Sequence, residues 1–559
     1  MFRVLNAPCL MVVTLAVISA ALPVQAQSAD SDSLAPLLSG MGIYSRPIST
    51  NSVTAQQYFD QGLNLTYGYY FVHAVASFQE AIRHDPNNGM LYWGLALAIG
   101  PNPNSRYSRA EDDPQGEGKK AIEKAMSLRN AAPSVERALI EALHVRFDDE
   151  TYPDRDKRDR AYIKAVRRIY KQYPADTEAG FLLADAIMTS SKWSYWDPKG
   201  LPKKGTAAAV DALERSVAMH PLHPGANHLY IHLVEASNEP ELATAHADRL
   251  AGLIPHVGHI VHMPSHTYIR TGRYADAIAT NLRSVEVDRI LLEEWGDHPF
   301  PMICSYNVSA KSHTGHATDF VRFGATFQGN YEQAIEYARI TAKTVPIDSV
   351  SNRNQRHIAT VWLVHKIFGR WSALEEETAP PANNIYLQGM WNYVQGSKLV
   401  HEGKLAEAES ALTKLEELQS HPDVQVLPIR VNTGAVTFKL ATRALAGEIA
   451  LARGEFDEAI DAFQEAVERE KALGYMEPPD WAQSMRLYLG NAYLKASRPA
   501  DAERVYRDDL EWWPENGWAL YGLWHSLIEQ NKDEEADATR KRFDKAWSNA
   551  DTVLEASVF

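Results

Sequence analysis

Cysteine is almost absent from this 559-residue chain, which contains only Cys9 and Cys304. Cys9 lies in an N-terminal segment that we expect to be removed, so one thiol would remain. A single thiol excludes an intrachain disulfide and argues against a zinc–thiolate site. Any bound metal must therefore be held by imidazole, carboxylate or thioether groups.

The sequence also lacks an apolar run long enough to cross a membrane. Its longest stretch, residues 9–24, falls short of the ~20 residues that a spanning helix needs. Arg3 precedes this stretch, and residues 24–26 (Val-Gln-Ala) offer a small-x-small cleavage site. This order is typical of a secretory signal peptide, here residues 1–26. We expect a periplasmic or secreted protein.

Positive charge is in deficit, because 56 Lys and Arg face 71 Asp and Glu and give a formal net charge of −15. We therefore expect no binding to nucleic acid or to an anionic membrane surface. The sequence contains no Gly-rich phosphate loop, no nucleophile elbow and no His-Glu-x-x-His zincin helix.

Amphipathic helical stretches separated by short turns begin near residue 54, and we find no convincing series of strands. The clearest unit is RLYLGNAYLKASRPADAERVYRDDLEWWPENGWALYGLWHSL, in which Gly490 and Gly522 take a small position and Pro514 separates two units. This pattern resembles the tetratricopeptide-repeat (TPR) family, over roughly residues 54–547. The resemblance implies an all-α solenoid, a right-handed superhelix of helical hairpins, and a scaffold that commonly binds peptides or proteins.

The predicted organisation follows these patterns. After the signal peptide we predict a linker at 27–53, N-terminal repeats at 54–206, His-rich repeats at 207–345 and C-terminal repeats at 346–553. Insertions interrupt the repeats near 101–117, 191–206 and 291–306. Loops of this kind could cap a groove, which favours a function beyond plain peptide binding.

Two His-x-x-x-His pairs carry the strongest functional signal. His228 and His232 form the first pair, and His262 and His266 form the second, each 34 residues after its counterpart. The TPR period is 34 residues, so the pairs should occupy equivalent places on stacked helices. An i,i+4 spacing puts both imidazoles of a pair on one helix face. We therefore predict that four imidazoles converge on one patch.

Other residues extend this patch. His259 precedes His262 on the same predicted helix, and aligning the GRYADAI and GNYEQAI units places His313 and His316 at the start of a later helix. Six or seven imidazoles could then meet, enough for a dinuclear centre. Glu235 shares a helix face with the first pair, as a carboxylate ligand, a partner of an imidazole N–H, or a general base.

Imidazole is the commonest transition-metal ligand, so we predict a metal site, with copper favoured over iron or zinc. Copper or iron would suit an oxidoreductase acting on a small organic substrate. Zinc would suit a hydrolase with Glu235 as the base. A periplasmic metal-handling protein and a non-catalytic peptide- or protein-binding scaffold are the alternatives.

Aromatic residues near two insertions are candidates for the walls of a substrate pocket, since they give large, rigid contact area. The candidates are Tyr92, Trp93, Asn102, Trp193 and Trp196. The same side chains could instead pack the repeats and pin the insertions. The expected partner is a small molecule or a peptide, and the sequence does not indicate an oligomeric state.

Overall fold

A computed structural model describes residues 33–104, 113, 116–197, 200–301 and 314–559. Within these residues the chain is helical apart from loops, an isolated bridge between Trp196 and Pro202, and one small hairpin. The hairpin pairs β1 (Pro428–Ile429) antiparallel with β2 (Asn432–Thr433). The predicted all-α solenoid of helical hairpins is confirmed, because each helix packs mainly on its neighbours along the chain.

The N-terminal helices begin where short polar side chains cap them. The Ser52 hydroxyl accepts from the Ala55 N–H at 3.2 Å, and Asp176 caps the Ala179 N–H in the same way at 3.1 Å. A 3-10 turn at Arg129–Ala131 separates two of these helices. They are α1 (Val53–Tyr67), α2 (Phe71–His84), α3 (Gly89–Ile99), α4 (Glu117–Leu128), α5 (Ser134–Phe147), α6 (Arg155–Gln172), α7 (Thr177–Ser191) and α8 (Thr206–Met219).

The central helices carry the histidine-rich segment. They are α9 (Pro224–Val234), α10 (Thr244–Leu253), α11 (Gly258–His262), α12 (Pro264–Arg270), α13 (Tyr274–Trp295), α14 (Thr314–Phe327) and α15 (Tyr331–Ala342), with a 3-10 turn at Pro240–Ala243. Met263 keeps a right-handed helical conformation (φ −52°, ψ −35°), so α11 and α12 continue in one direction. Pro264 is tolerated near the start of this helix, where few N–H groups have helical partners.

The C-terminal helices complete the solenoid. They are α16 (Arg356–Ile367), α17 (Trp371–Glu375), α18 (Ile385–His401), α19 (Leu405–Gln419), α20 (Pro422–Val426), α21 (Gly434–Arg453), α22 (Phe456–Lys471), α23 (Met485–Lys495), α24 (Pro499–Trp512), α25 (Gly517–Glu529) and α26 (Asp533–Ala546). Gly490 and Gly522 both lie against Tyr506, and an added Cβ would stand 2.4 Å and 2.2 Å from its ring. The small positions of the repeat therefore let α23 and α25 close over α24.

Two apolar cores run along the molecule, and the chain joins them by folding back. Trp513, just after α24, packs on Phe323 and Phe327 of α14, with ring centroids 5.3 Å and 5.6 Å apart. The Arg270 guanidinium lies 3.8 Å from the centre of the Trp512 ring. These contacts bring the C-terminal repeats onto the central ones.

Residues 33–52, the described part of the predicted linker, pack on the helices. Ala35 and Tyr44 are buried, and the Leu38 N–H donates to Gln61 of α1 at 2.7 Å. The Ser39 N–H donates to Glu294 of α13 at 2.8 Å. These residues belong to the folded unit, so the linker predicted at 27–53 does not extend over them.

Candidate metal centre

The α9 helix presents two of the predicted histidines to the interior. It begins at Pro224 after His223, whose ring accepts a hydrogen bond from the Ala226 N–H at 3.2 Å. His228 and His232 follow one turn apart, with ring centroids separated by 4.9 Å, and both are buried. Their i,i+4 spacing places both imidazoles on one face of α9, as the sequence predicted.

A first triad consists of His228, His232 and His259. Each offers one ring nitrogen, and the three nitrogens lie within 4.8 Å of one another. His228 Nε2 and His259 Nε2 are 3.1 Å apart. His232 Nε2 is buried and has no hydrogen-bond partner among the described residues.

A second triad consists of His262, His266 and His316, again with one nitrogen each within 4.8 Å of the others. His262 Nε2 and His266 Nε2 are 2.9 Å apart. His316, near the start of α14, places its ring 4.7 Å from that of His262. Three separate helical segments thus supply the six imidazoles.

Neighbouring carbonyl groups fix which nitrogen of two imidazoles carries hydrogen. Asn281 donates its amide N–H to the Ala277 carbonyl at 2.7 Å, so its Oδ1 faces His262 Nδ1 at 2.6 Å. His228 Nδ1 lies 2.5 Å from the Tyr67 carbonyl oxygen. Since both oxygens only accept, each Nδ1 must be the donor, and each Nε2 lone pair points into the cluster. Outer partners of this kind orient metal-binding histidines.

His266 lies beside two buried carboxylates. Its Nδ1 lies 2.8 Å from Glu235 and 2.7 Å from Glu477. Burial would lower the pKa of His266, but the two carboxylates outweigh it and raise that pKa to about 10. Burial raises the pKa of both carboxyl groups, and His266 opposes that shift.

The approach of His262 and His266 requires a cation. The Nδ1 of His262 donates to Asn281, so the lone pair on its Nε2 faces His266 Nε2 at 2.9 Å. Either a proton on His266 Nε2, which the raised pKa of that imidazole supplies, or a metal ion between the two nitrogens satisfies this lone pair. Two imidazoles ligating one ion at about 2.0–2.1 Å place their nitrogens about 2.9–3.4 Å apart, depending on the angle. The observed separation fits that geometry.

Glu235 joins the triads, and a distant loop completes the site. Glu235 is the C-cap residue that follows α9, and with His232 and His266 it forms a third group within 4.8 Å. Glu477 comes from the loop between α22 and α23, where the Tyr475 hydroxyl donates to the Glu235 carbonyl at 3.0 Å and to the Glu477 carboxylate. The sequence analysis missed Glu477 and Tyr475, because no local motif marks this loop and Tyr475 lies 240 residues after Glu235.

A cavity of about 470 Å³ opens beside the triads. Its lining combines imidazoles, carboxylates, aromatic groups and two arginines. These residues are Tyr69, Phe71, Asn104, Trp193, His232, Glu235, His259, His266, His316, Arg353, Asn354, Arg430, Val431, Tyr475, Met476 and Glu477. Trp193 was predicted as a pocket wall, and its ring meets His232 edge-on at 4.7 Å.

The other four residues predicted to wall the pocket do not border this cavity. Trp93 is 1% exposed and packs in the core, and Asn102 is buried while Asn104 takes the lining position. The Trp196 indole donates to the Leu233 carbonyl at 2.7 Å and pins its loop to α9. The Tyr92 hydroxyl donates to the Pro86 carbonyl at 3.1 Å. Packing and loop anchoring, rather than a pocket, account for these four.

The structure brings together six of the seven histidines proposed as ligands, together with Glu235. His313, the seventh, lies outside the described residues. No helix among the described residues is both long and apolar enough to span a membrane.

Fold and site define an all-α helical-repeat protein with a buried polyhistidine cluster. Residues 444–511 match the family model described as tetratricopeptide repeat, so the chain carries tetratricopeptide repeats. A search of curated proteins found no match.

Two solved structures of other proteins align with most of this chain. A human IFIT1 dimer with m7Gppp-AAAA has 12% identity and a TM-score of 0.32, over 86% of this chain and 94% of that one. The TPR domain of P58(IPK) has 13% identity and a TM-score of 0.21, over 86% of this chain and 99% of that one.

Proposed function

We propose that this TPR scaffold holds a dinuclear transition-metal centre, with one ion in each histidine triad. The observation that carries the proposal is the pair of triads, in each of which three imidazoles bring one ring nitrogen within 4.8 Å of the others. Imidazole-rich sets favour copper, followed by iron or zinc.

The cavity extends the proposal to an enzyme. A bound copper or iron ion would supply redox chemistry, and zinc would supply Lewis acidity. Glu235 and Glu477 lie 2.8 Å and 2.7 Å from His266 Nδ1, and their negative charge stabilises the protonated imidazole. The adjoining space of about 470 Å³ would admit a small organic molecule next to the triads.

The family match favours a second function, in which the repeats bind a peptide or protein without chemistry. The comparisons support this scaffold function better than they support redox chemistry. It requires no metal, and the histidines would then share protons in a buried polar network. Metal content therefore separates the two functions.

The test is elemental analysis of untagged protein purified without chelator. We expect about two metal ions per chain, one per triad. His259→Ala should remove about one ion by opening the first triad, and His316→Ala about one by opening the second. His228→Ala/His262→Ala should remove both.

His73→Ala is the matched control, because His73 is 1% exposed and lies outside the triads. It should leave the metal content unchanged. Wild-type protein without metal, or full metal in the double variant, would contradict the proposal. An absorption spectrum of the same sample distinguishes oxidised copper or iron from colourless zinc.

A further inference from the structure

We propose that the cavity beside the triads binds a small organic carboxylate, anchored by Arg353 and Arg430. This inference rests on the proposed metal centre and specifies the class of molecule that would reach it. Both arginines line the same cavity as His232, His259 and His266.

The fold fixes the two arginines side by side. Arg430 occupies the tight turn between β1 and β2 with φ +52°, and its N–H donates to the Arg353 carbonyl at 3.0 Å. The Arg353 guanidinium in turn donates to the Arg430 carbonyl, and Arg430 Nη1 donates to Asn354 Oδ1 at 3.4 Å. These bonds hold the two arginines at one junction on the cavity wall, where both can contribute positive charge toward a bound anion.

A nearby arginine shows how the same chain neutralises a structural guanidinium. Arg356 is 3% exposed and lies 2.7 Å from Asp319 and 3.1 Å from Asp480. Arg353 is instead exposed, and the acceptor of its guanidinium is a backbone carbonyl. Arg353 therefore keeps its positive charge available at the cavity, where a planar guanidinium matches a carboxylate.

The rest of the cavity wall is largely apolar, so it favours a ligand whose remaining part is apolar. Tyr69 and Phe71 stack with ring centroids 5.5 Å apart, and Trp193, Val431 and Met476 add further apolar surface. The volume of about 470 Å³ lies within the range of small-molecule sites. An acid carrying one aromatic ring or a short acyl chain fits this lining.

The test compares benzoate with neutral benzamide, which has nearly the same shape, by calorimetric titration of metal-loaded protein. We expect benzoate to bind at least about tenfold more tightly, as charge-assisted hydrogen bonds predict. Arg353→Gln/Arg430→Gln should remove this preference and leave metal content unchanged. Arg430→Lys should retain part of it, because the charge remains.

Arg160→Gln is the matched control, since Arg160 is exposed on α6, which contributes no residue to the cavity. Circular dichroism checks that each variant is folded. The inference would be overturned, even with full metal content, if the wild type showed no preference for benzoate or did not bind it at millimolar concentration. It would also be overturned if the preference survived the double substitution.

If the protein carries no metal, the proposed function fails, and the same titration of metal-free protein decides this inference separately. An arginine-dependent preference for benzoate would then still support the carboxylate site. A metal-free protein without that preference would overturn both proposals.

Discussion

At the scale of single residues, the position of one hydrogen atom on each imidazole decides what the cluster binds. Asn281 accepts a hydrogen bond from His262 Nδ1, and the Tyr67 carbonyl accepts one from His228 Nδ1. The Nε2 lone pairs of His262 and His228 then point inward, where they can meet either a metal ion or the N–H of a neighbouring imidazole. In a network without metal the donors would be His266 Nε2 at 2.9 Å and His259 Nε2 at 3.1 Å.

Asn281→Ala tests this arrangement, because it removes the acceptor that orients His262. We expect metal affinity to fall about 10–100-fold, the usual effect of losing an outer partner of a ligand. Asn281→Asp should restore it only in part, because it keeps the acceptor for His262 but loses the N–H that bonds the Ala277 carbonyl. A competition titration against a chromophoric chelator measures the change.

Asn392→Ala is the control for that experiment. Asn392 of α18 donates to the Gln388 carbonyl at 2.7 Å, the same i−4 bond that Asn281 makes with Ala277, but it contributes nothing to the site. Equal affinities for Asn281→Ala and Asn392→Ala would show that the His262 ring is not held through Asn281.

At the scale of elements, close helix packing depends on the small positions of the repeat. An added Cβ at Gly522 would meet the Tyr506 ring at 2.2 Å, and Tyr506 itself is buried. Because Tyr506 also bonds Ser557 through its hydroxyl at 2.7 Å, the ring has little freedom to move aside. The spacing between α24 and α25 therefore admits only hydrogen at residue 522.

Gly522→Ala should lower the free energy of unfolding by about 1–3 kcal/mol through overpacking. Gly252→Ala is the control, since Gly252 lies in α10 with nothing within 4 Å of an added Cβ. That substitution should stabilise the helix by up to about 1 kcal/mol. Urea unfolding measures both, and a Gly522→Ala variant as stable as the wild type would contradict the packing argument.

Some helices and site residues could be predicted from the sequence, and others could not. The 34-residue spacing of the histidine pairs and the small position of Gly522 are local regularities, so the solenoid and most imidazoles could be predicted. Glu477 and Arg430 could not, because they reach the cavity only when the C-terminal repeats fold back. Trp93 was misassigned because an aromatic side chain looks alike in sequence whether it packs a core or lines a pocket.

At the scale of the whole molecule, the return of the C-terminal repeats is held by aromatic packing together with polar contacts such as the bond from Tyr475 to Glu235. Trp513 is 6% exposed and belongs to the first apolar core although it follows α24. Its packing on Phe323 and Phe327 couples the two cores. Loss of this side chain should separate their unfolding.

Trp513→Ala should cost about 3–5 kcal/mol, as for other buried aromatic groups, and should split one calorimetric unfolding transition into two. Trp524→Ala is the control, because Trp524 of α25 packs against the second core alone. A single transition in Trp513→Ala, at the wild-type temperature, would show that the cores are coupled elsewhere.

The late position of Glu477 in the chain has a consequence for biogenesis. All six imidazoles of the triads precede residue 317, whereas the carboxylate that shares His266 with Glu235 is synthesised much later. A chain still emerging from the ribosome can gather the rings but lacks their last acidic neighbour. Under the proposed function the triads could therefore form before residue 477 is made, and Glu477 would add only the second negative charge beside His266.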